Sequence, residues 1–176
     1  MQITNHRLRM FFRSNVREIR FLIFFVAFLL AGHILLQLVY TRVYPILVNT
    51  LHAGVSAHLI NIISRGEGAV VRNGNIVSDN STLGIAKGCE GIEGILIIIA
   101  AVCAFPAGVR EKAFGLLAGV LLIYVLNLTR IVGLWFILRH KPALFDIMHI
   151  YVGQTYIIFF GFLFFVWWAV RGERAP

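Results

Sequence analysis

Charge is scarce in this chain. Only 14% of its 176 residues are charged, and the 8 acids are outnumbered by 16 lysines and arginines. A soluble globular domain carries about a quarter charged residues and roughly 45–50% apolar ones. Here 59% are hydrophobic and the mean hydropathy is +0.84. The surplus lies in runs longer than a soluble core needs, which argues against a soluble domain and predicts an integral membrane protein. The formal net charge of +8 does not point to nucleic acid, because most of the arginines flank apolar runs. That is where membrane orientation and lipid headgroups call for them.

Cysteine is also scarce: the chain has 2, Cys89 and Cys103. On one helix they would lie about 21 Å apart at ~1.5 Å per residue. A disulfide needs Cα atoms within roughly 7 Å, so the two cannot bridge, and neither belongs to a zinc pair. No H-x-x-x-H spacing occurs, which argues against a metal site, and no cofactor is expected. Internal repeats and low-complexity linkers are missing too, so residues 1–176 read as a single membrane domain.

What is present is a series of apolar runs. A basic segment, 1–20, precedes "FLIFFVAFLLAGHILLQLVY" (21–40), which has the length of a first span with a cytoplasmic N-terminus rather than of a cleaved signal. Residues 43–64 carry Asn49, His52 and Ser56 at i, i+3, i+7, a polar stripe that predicts an amphipathic helix at the interface or against the bundle. Residues 65–88 contain "RNGN" between short β-favouring runs, the signature of a hairpin. A hairpin has open strand edges and must lie outside lipid. Spans follow at 91–107, 114–138 and 150–170, the last ending in Trp167 and Trp168 before Arg171 and Arg174, an aromatic and basic anchor. The expected fold is an all-α helical bundle of four spans, with an interfacial amphipathic helix and a small extracytoplasmic β-hairpin. Five spans, with 43–64 crossing, fit the raw count of basic residues slightly better. The amphipathic stripe and the hairpin decide for four.

The chemistry-bearing residues converge. Cys89, in "KGCEGIEG", stands at a helix start, where unpaired N–H groups and the dipole favour a thiolate. Gly88, Gly91 and Gly94 allow close approach of backbone or substrate. Glu90 and Glu93 oppose the thiolate, so a cation is needed. Arg130, in "LNLTRIVGL", supplies it: an arginine inside an apolar run is costly and normally faces the bundle with a partner. It lies about 24 Å along its helix from Phe114 at ~1.5 Å per residue, which is the level of Cys89 on the preceding antiparallel helix. Asn127, one turn earlier, shares its face and is a candidate to orient it or to bind substrate. His149 begins the last span at the same level and is suited to general acid–base work. A nucleophile, a cation and a base from three spans fit cysteine acyl transfer. Taken singly, each has a plainer reading: a small buried hydrophobe, a snorkelling arginine, an interfacial histidine.

Taken in order, these motifs resemble the exosortase/archaeosortase family of membrane cysteine transpeptidases. "KGCEGIEG" is similar to that family's A-C-S-G-I motif, "NLTRIVGL" to its N-x-x-R motif, and "DIMHIYVGQTYIIF", with His149, Gly153 and the stretch to Phe159, to its H-x-x-x-G-x-x-x-F motif. Glu90 stands where the family has serine, and the chain is short. The resemblance implies catalytic roles for Cys89, Arg130 and His149, with Glu90, Glu93, Asn127, Gly91 and Gly153 as supporting residues. It implies a substrate protein cut near a C-terminal sorting signal and handed to a membrane-borne acceptor, a lipid or a glycan, at the extracytoplasmic face of a prokaryotic cell membrane. The rival expectations are hydrolysis without transfer by the same site, and a non-enzymatic assembly protein in which Arg130 pairs with Glu90 or Glu93.

Overall fold

The computed structural model describes residues 16–79, 81–85 and 88–172. The basic segment 1–15, Lys87 of the cysteine motif and Arg174 lie outside the described residues.

The chain folds as a helical membrane bundle capped by one small sheet. Helix α1 (Val16–Pro45) passes without a break through a wide π-helical stretch, Ile46–Gly54, into α2 (Val55–Ile63). Together they form one helical rod of 48 residues, about 72 Å at ~1.5 Å per residue. This exceeds twice a ~30 Å hydrocarbon core. The amphipathic segment expected as a separate helix is therefore the continuation of the first span. Two residues of its polar stripe, His52 and Ser56, are buried, while Asn49 stays exposed. Pro45 costs no break because it stands where the tight α-helical ladder gives way to the looser π turns. None of the residues of α1 is fully buried; its Leu, Ile and Phe side chains form the outer apolar face that a bilayer covers.

Three antiparallel strands follow: β1 (Val70–Arg72), β2 (Asn75–Ser78) and β3 (Ser81–Gly84), in the order β1-β2-β3. The Asn-Gly signal makes its turn, with φ 51° at Asn73 and 79° at Gly74, the left-handed pair that a two-residue hairpin requires. The sheet exceeds the expected hairpin by one strand, β3, whose "STLG" carries no strand pattern of its own. Asn61 fixes the sheet to α2 by bonding both the N–H and the C=O of Ala69 at 2.8 Å.

Helix α3 (Ile92–Ala104) has 13 residues, α4 (Val109–His140) has 32 and α5 (Gly153–Gly172) has 20. A short helical turn and a π-helical stretch, Met148–Val152, lead into α5. Three helical segments are long and apolar enough to cross a membrane: Val16–Ile63, Val109–His140 and Pro142–Arg171. Helix α3 is a shorter apolar helix, about 20 Å long at ~1.5 Å per residue. Glycines on α4 bring its neighbours close: a Cβ on Gly119 would lie 2.5 Å from Ile98 of α3, and one on Gly115 2.6 Å from Trp168 of α5. Trp168 is thus not the interfacial anchor expected. It is buried, and its Nε1–H donates to the carbonyl of Glu111 at 3.0 Å. Trp167 remains exposed beneath the Arg171 guanidinium, 4.4 Å from its ring centroid.

Two apolar clusters result. One, around Ile98, Val102, Ile123, Ile157 and Trp168, joins α3, α4 and α5. The other, around Val48, Ile60, Ile76, Ile131 and Trp135, joins the α1–α2 rod, the sheet and the far half of α4. The candidate site lies at this second cluster.

Candidate active site

Cys89 sits in a short irregular turn ahead of α3. Gly88 and Gly91 flank it with φ 91° and 73°, backbone conformations that cost an L side chain about 1–2 kcal/mol. Gly91 has a second constraint: a Cβ there would stand 2.9 Å from the Asn127 side chain. The turn is held by Glu90, whose carboxylate accepts from the Gly88 N–H at its own foot and from the Tyr40 hydroxyl of α1 at 2.9 Å. One acid that the sequence left without a role thereby fixes the cysteine's loop to the first helix. The Gly88 N–H is committed to this carboxylate and is not open to a substrate oxygen. Helix α3 starts without a side-chain cap, so the N–H groups of its first turn stay open beside Cys89.

His149 arrives from the opposite side on the π-helical stretch before α5. Its ring stacks on Phe145, centroids 5.5 Å apart, and its Nε2 lies 2.9 Å from Cys89 Sγ. The two side chains form a thiol–imidazole hydrogen bond. Arg130, buried in the wall of α4, donates from Nη2 to the backbone carbonyl of His149 at 3.1 Å. Its position requires Gly153: a Cβ there would stand 2.6 Å from Arg130 Nε. That glycine, four residues after His149, makes room for the arginine.

Burial pushes the Cys89 thiol above its ordinary range, Arg130 pulls it down, and Glu90 and Glu93 push it up. The net direction is upward, opposite to the lowering expected from a helix start. The thiol has lost water on entering the bundle, and one cation against two carboxylates does not restore what hydration gave the thiolate. A thiol in such surroundings needs a base within hydrogen-bond reach to act as a nucleophile, and His149 stands at that distance.

The residues singled out in the sequence are placed as follows. Cys89, Arg130 and His149 come together. Glu90 is buried at the foot of the cysteine turn, while Glu93 is exposed on α3 and acts on the thiol only through its charge. Arg130 pairs with neither acid; the ion pair among the described residues joins Arg139 to Glu67. Asn127 does not orient Arg130. It is buried against Gly91, and its amide has no hydrogen-bond partner among the described residues. Tyr40, Phe145 and the strand residues Thr82–Ile85 were missed. Tyr40 ends an apolar run and Phe145 lies among other hydrophobics, so neither stands out in a single sequence.

These groups border one cavity of about 240 Å³, with Cys89, Arg130 and His149 on one side, Thr82–Ile85 above and aliphatic side chains of α4 as its wall. An apolar trough with a thiol, an imidazole and a guanidinium at its floor suits a polypeptide segment whose carbonyl reaches the sulfur. Among the described residues no group of acids, histidines and cysteines could hold a metal ion.

No curated protein and no solved structure matches the chain. The profile of the transmembrane exosortases matches residues 10–168, a stretch that contains every residue of the site just described. The chain belongs to the transmembrane exosortase family.

Proposed function

We propose that this integral membrane protein is a cysteine transpeptidase that cuts polypeptides near a C-terminal sorting signal and transfers them to a membrane-borne lipid or glycan acceptor. The observation that carries this reading is the 2.9 Å contact between Cys89 Sγ and His149 Nε2, with Arg130 holding the histidine's own backbone.

Nε2 takes the thiol proton as Sγ bonds to the substrate carbonyl carbon. The developing oxyanion is held by Arg130 and the open N–H groups at the start of α3. The imidazolium then protonates the leaving amine as the C–N bond breaks, which leaves a thioester on Cys89 and the C-terminal fragment free. An acceptor hydroxyl or amine gives its proton to His149, attacks the thioester and releases the thiol. In this reading the site faces the extracytoplasmic side of a prokaryotic cell membrane, the side that four spans from a cytoplasmic N-terminus would give the sheet. The assembly-protein alternative expects Arg130 paired with Glu90 or Glu93; Arg130 bonds instead to His149, and Glu90 to Tyr40 and Gly88.

The test is processing of the cognate polypeptide in cells. Cys89→Ala is expected to abolish it at unchanged membrane abundance; processing that continues in this variant refutes the assignment of the nucleophile. Mass measurement of the product's new C-terminus separates transfer from hydrolysis.

A further inference from the structure

Strand β3 is the edge of the sheet, paired only with β2. Ser78 faces Ser81 across the tight connection, so this pair closes the turn by exchanging backbone hydrogen bonds. In an antiparallel ladder such pairs alternate with pairs that exchange none. Val77–Thr82 and Asn75–Gly84 are then the non-bonded pairs, and Thr82 and Gly84 aim their N–H and C=O groups away from β2. Both residues are exposed, whereas Leu83 between them is buried. Among the described residues no hydrogen bond from outside the sheet reaches the backbone of either. The strand also lacks the lysine, proline or other charge with which sheet edges are usually blunted.

This open edge lines the cavity that holds Cys89, Arg130 and His149. We infer that the substrate docks on it as a fourth, extended strand, its backbone paired to Thr82 and Gly84 and its reacting carbonyl delivered to Cys89. The inference rests on the acyl-transfer reading of the site and names how that site takes its substrate. Two outward N–H and two outward C=O groups match the repeat of an extended peptide, which no lipid or glycan chain offers. Side chains of an added strand alternate, so one set faces the wall of Ile131, Leu134, Leu138 and Phe145. That wall selects an aliphatic residue. Since the outward groups are main-chain atoms, recognition tolerates sequence variation elsewhere in the segment.

The test compares electrophiles on the full-length protein in detergent. Rates of Cys89 labelling are measured for methyl vinyl sulfone and for a valine-rich tetrapeptide ending in the same vinyl sulfone. Two further peptides are N-methylated at alternate amides, one in each register. The plain peptide is expected to label at least tenfold faster than methyl vinyl sulfone. One N-methylated register should lose that advantage and the other keep it, since only one set of amides faces β3. Thr82→Pro removes an outward N–H while leaving the β2 ladder intact, and should cut the ratio of peptide to methyl vinyl sulfone rates about tenfold. Equal rates for all three peptides on the unaltered protein overturn strand docking, as does an unchanged ratio in Thr82→Pro. Failure of both reagents to label Cys89 in the folded protein, with labelling restored on denaturation, overturns the nucleophile reading and this one with it.

Discussion

At the scale of residues, the proposed chemistry rests on three side chains, Cys89, Arg130 and His149, which the structure brings together. Because burial raises the Cys89 thiol and Arg130 opposes that rise, alkylation by iodoacetamide should keep accelerating with pH beyond the ordinary thiol range. Arg130→Gln removes a group that favours the thiolate, so its alkylation profile should move further toward alkaline pH and its rate at pH near 7.5 should fall. A profile unmoved by the substitution contradicts the electrostatic role. Gly153→Ala tests space rather than charge. With a Cβ 2.6 Å from Nε, Arg130 must shift and loosen its bond to His149. A tenfold loss of acyl transfer corresponds to about 1.4 kcal/mol, and it should come without a matching loss of thermal stability. Cys89, Arg130 and His149 were legible in the sequence because a polar group in an apolar run has few inexpensive reasons to be there. The role of Glu90 was not, since it depends on Tyr40, 50 positions away, and no local pattern encodes a partner at that distance.

At the scale of elements, the site depends on how the sheet is fastened to the bundle. Glu67, almost fully buried, is paired with Arg139 at the end of α4 and accepts from the Ser78 hydroxyl. Arg139→Ala leaves a buried carboxylate without its cation, which costs ~3–5 kcal/mol in a fully buried pair. Arg139 is itself 32% exposed, so about 2–3 kcal/mol is expected. Adding Glu67→Gln should recover part of the loss, because the amide needs no counter-charge. Thermal denaturation in detergent measures both, and hydrogen exchange should show β2 and β3 opening first. Equal protection of the strands in Arg139→Ala and the unaltered protein rules out this fastening. The hairpin turn was legible from Asn-Gly, but β3 was not, because its "STLG" becomes a strand only by pairing with β2. The continuity of α1 and α2 escaped notice for the opposite reason. A polar stripe looks like a surface helix, whereas His52 turns inward against Tyr124 of α4 and Ser56 is buried.

At the scale of the whole molecule, the family and the apolar helices make this an integral membrane protein. The proposed four-span arrangement would put the turn at Asn73 on one side of the membrane and the connection near Glu111 on the other. With the remaining cysteines replaced, Asn73→Cys should react with an impermeant maleimide on intact cells, and Glu111→Cys only after the membrane is opened. The reverse labelling overturns the proposed orientation. The class of protein was legible from composition alone. Burial in the bundle was less so, since an apolar residue reads the same whether it faces lipid or protein.

The central claim is that the sulfur of Cys89 becomes covalently bonded to the polypeptide being cut. The most direct measurement is mass spectrometry of the Cys89 peptide from membranes quenched in acid during turnover. A hydroxylamine-labile acyl group on that peptide, carrying the sequence upstream of the cut, is the predicted result. Cleaved polypeptide accumulating while Cys89 stays unmodified, with an adduct elsewhere or nowhere, contradicts the account.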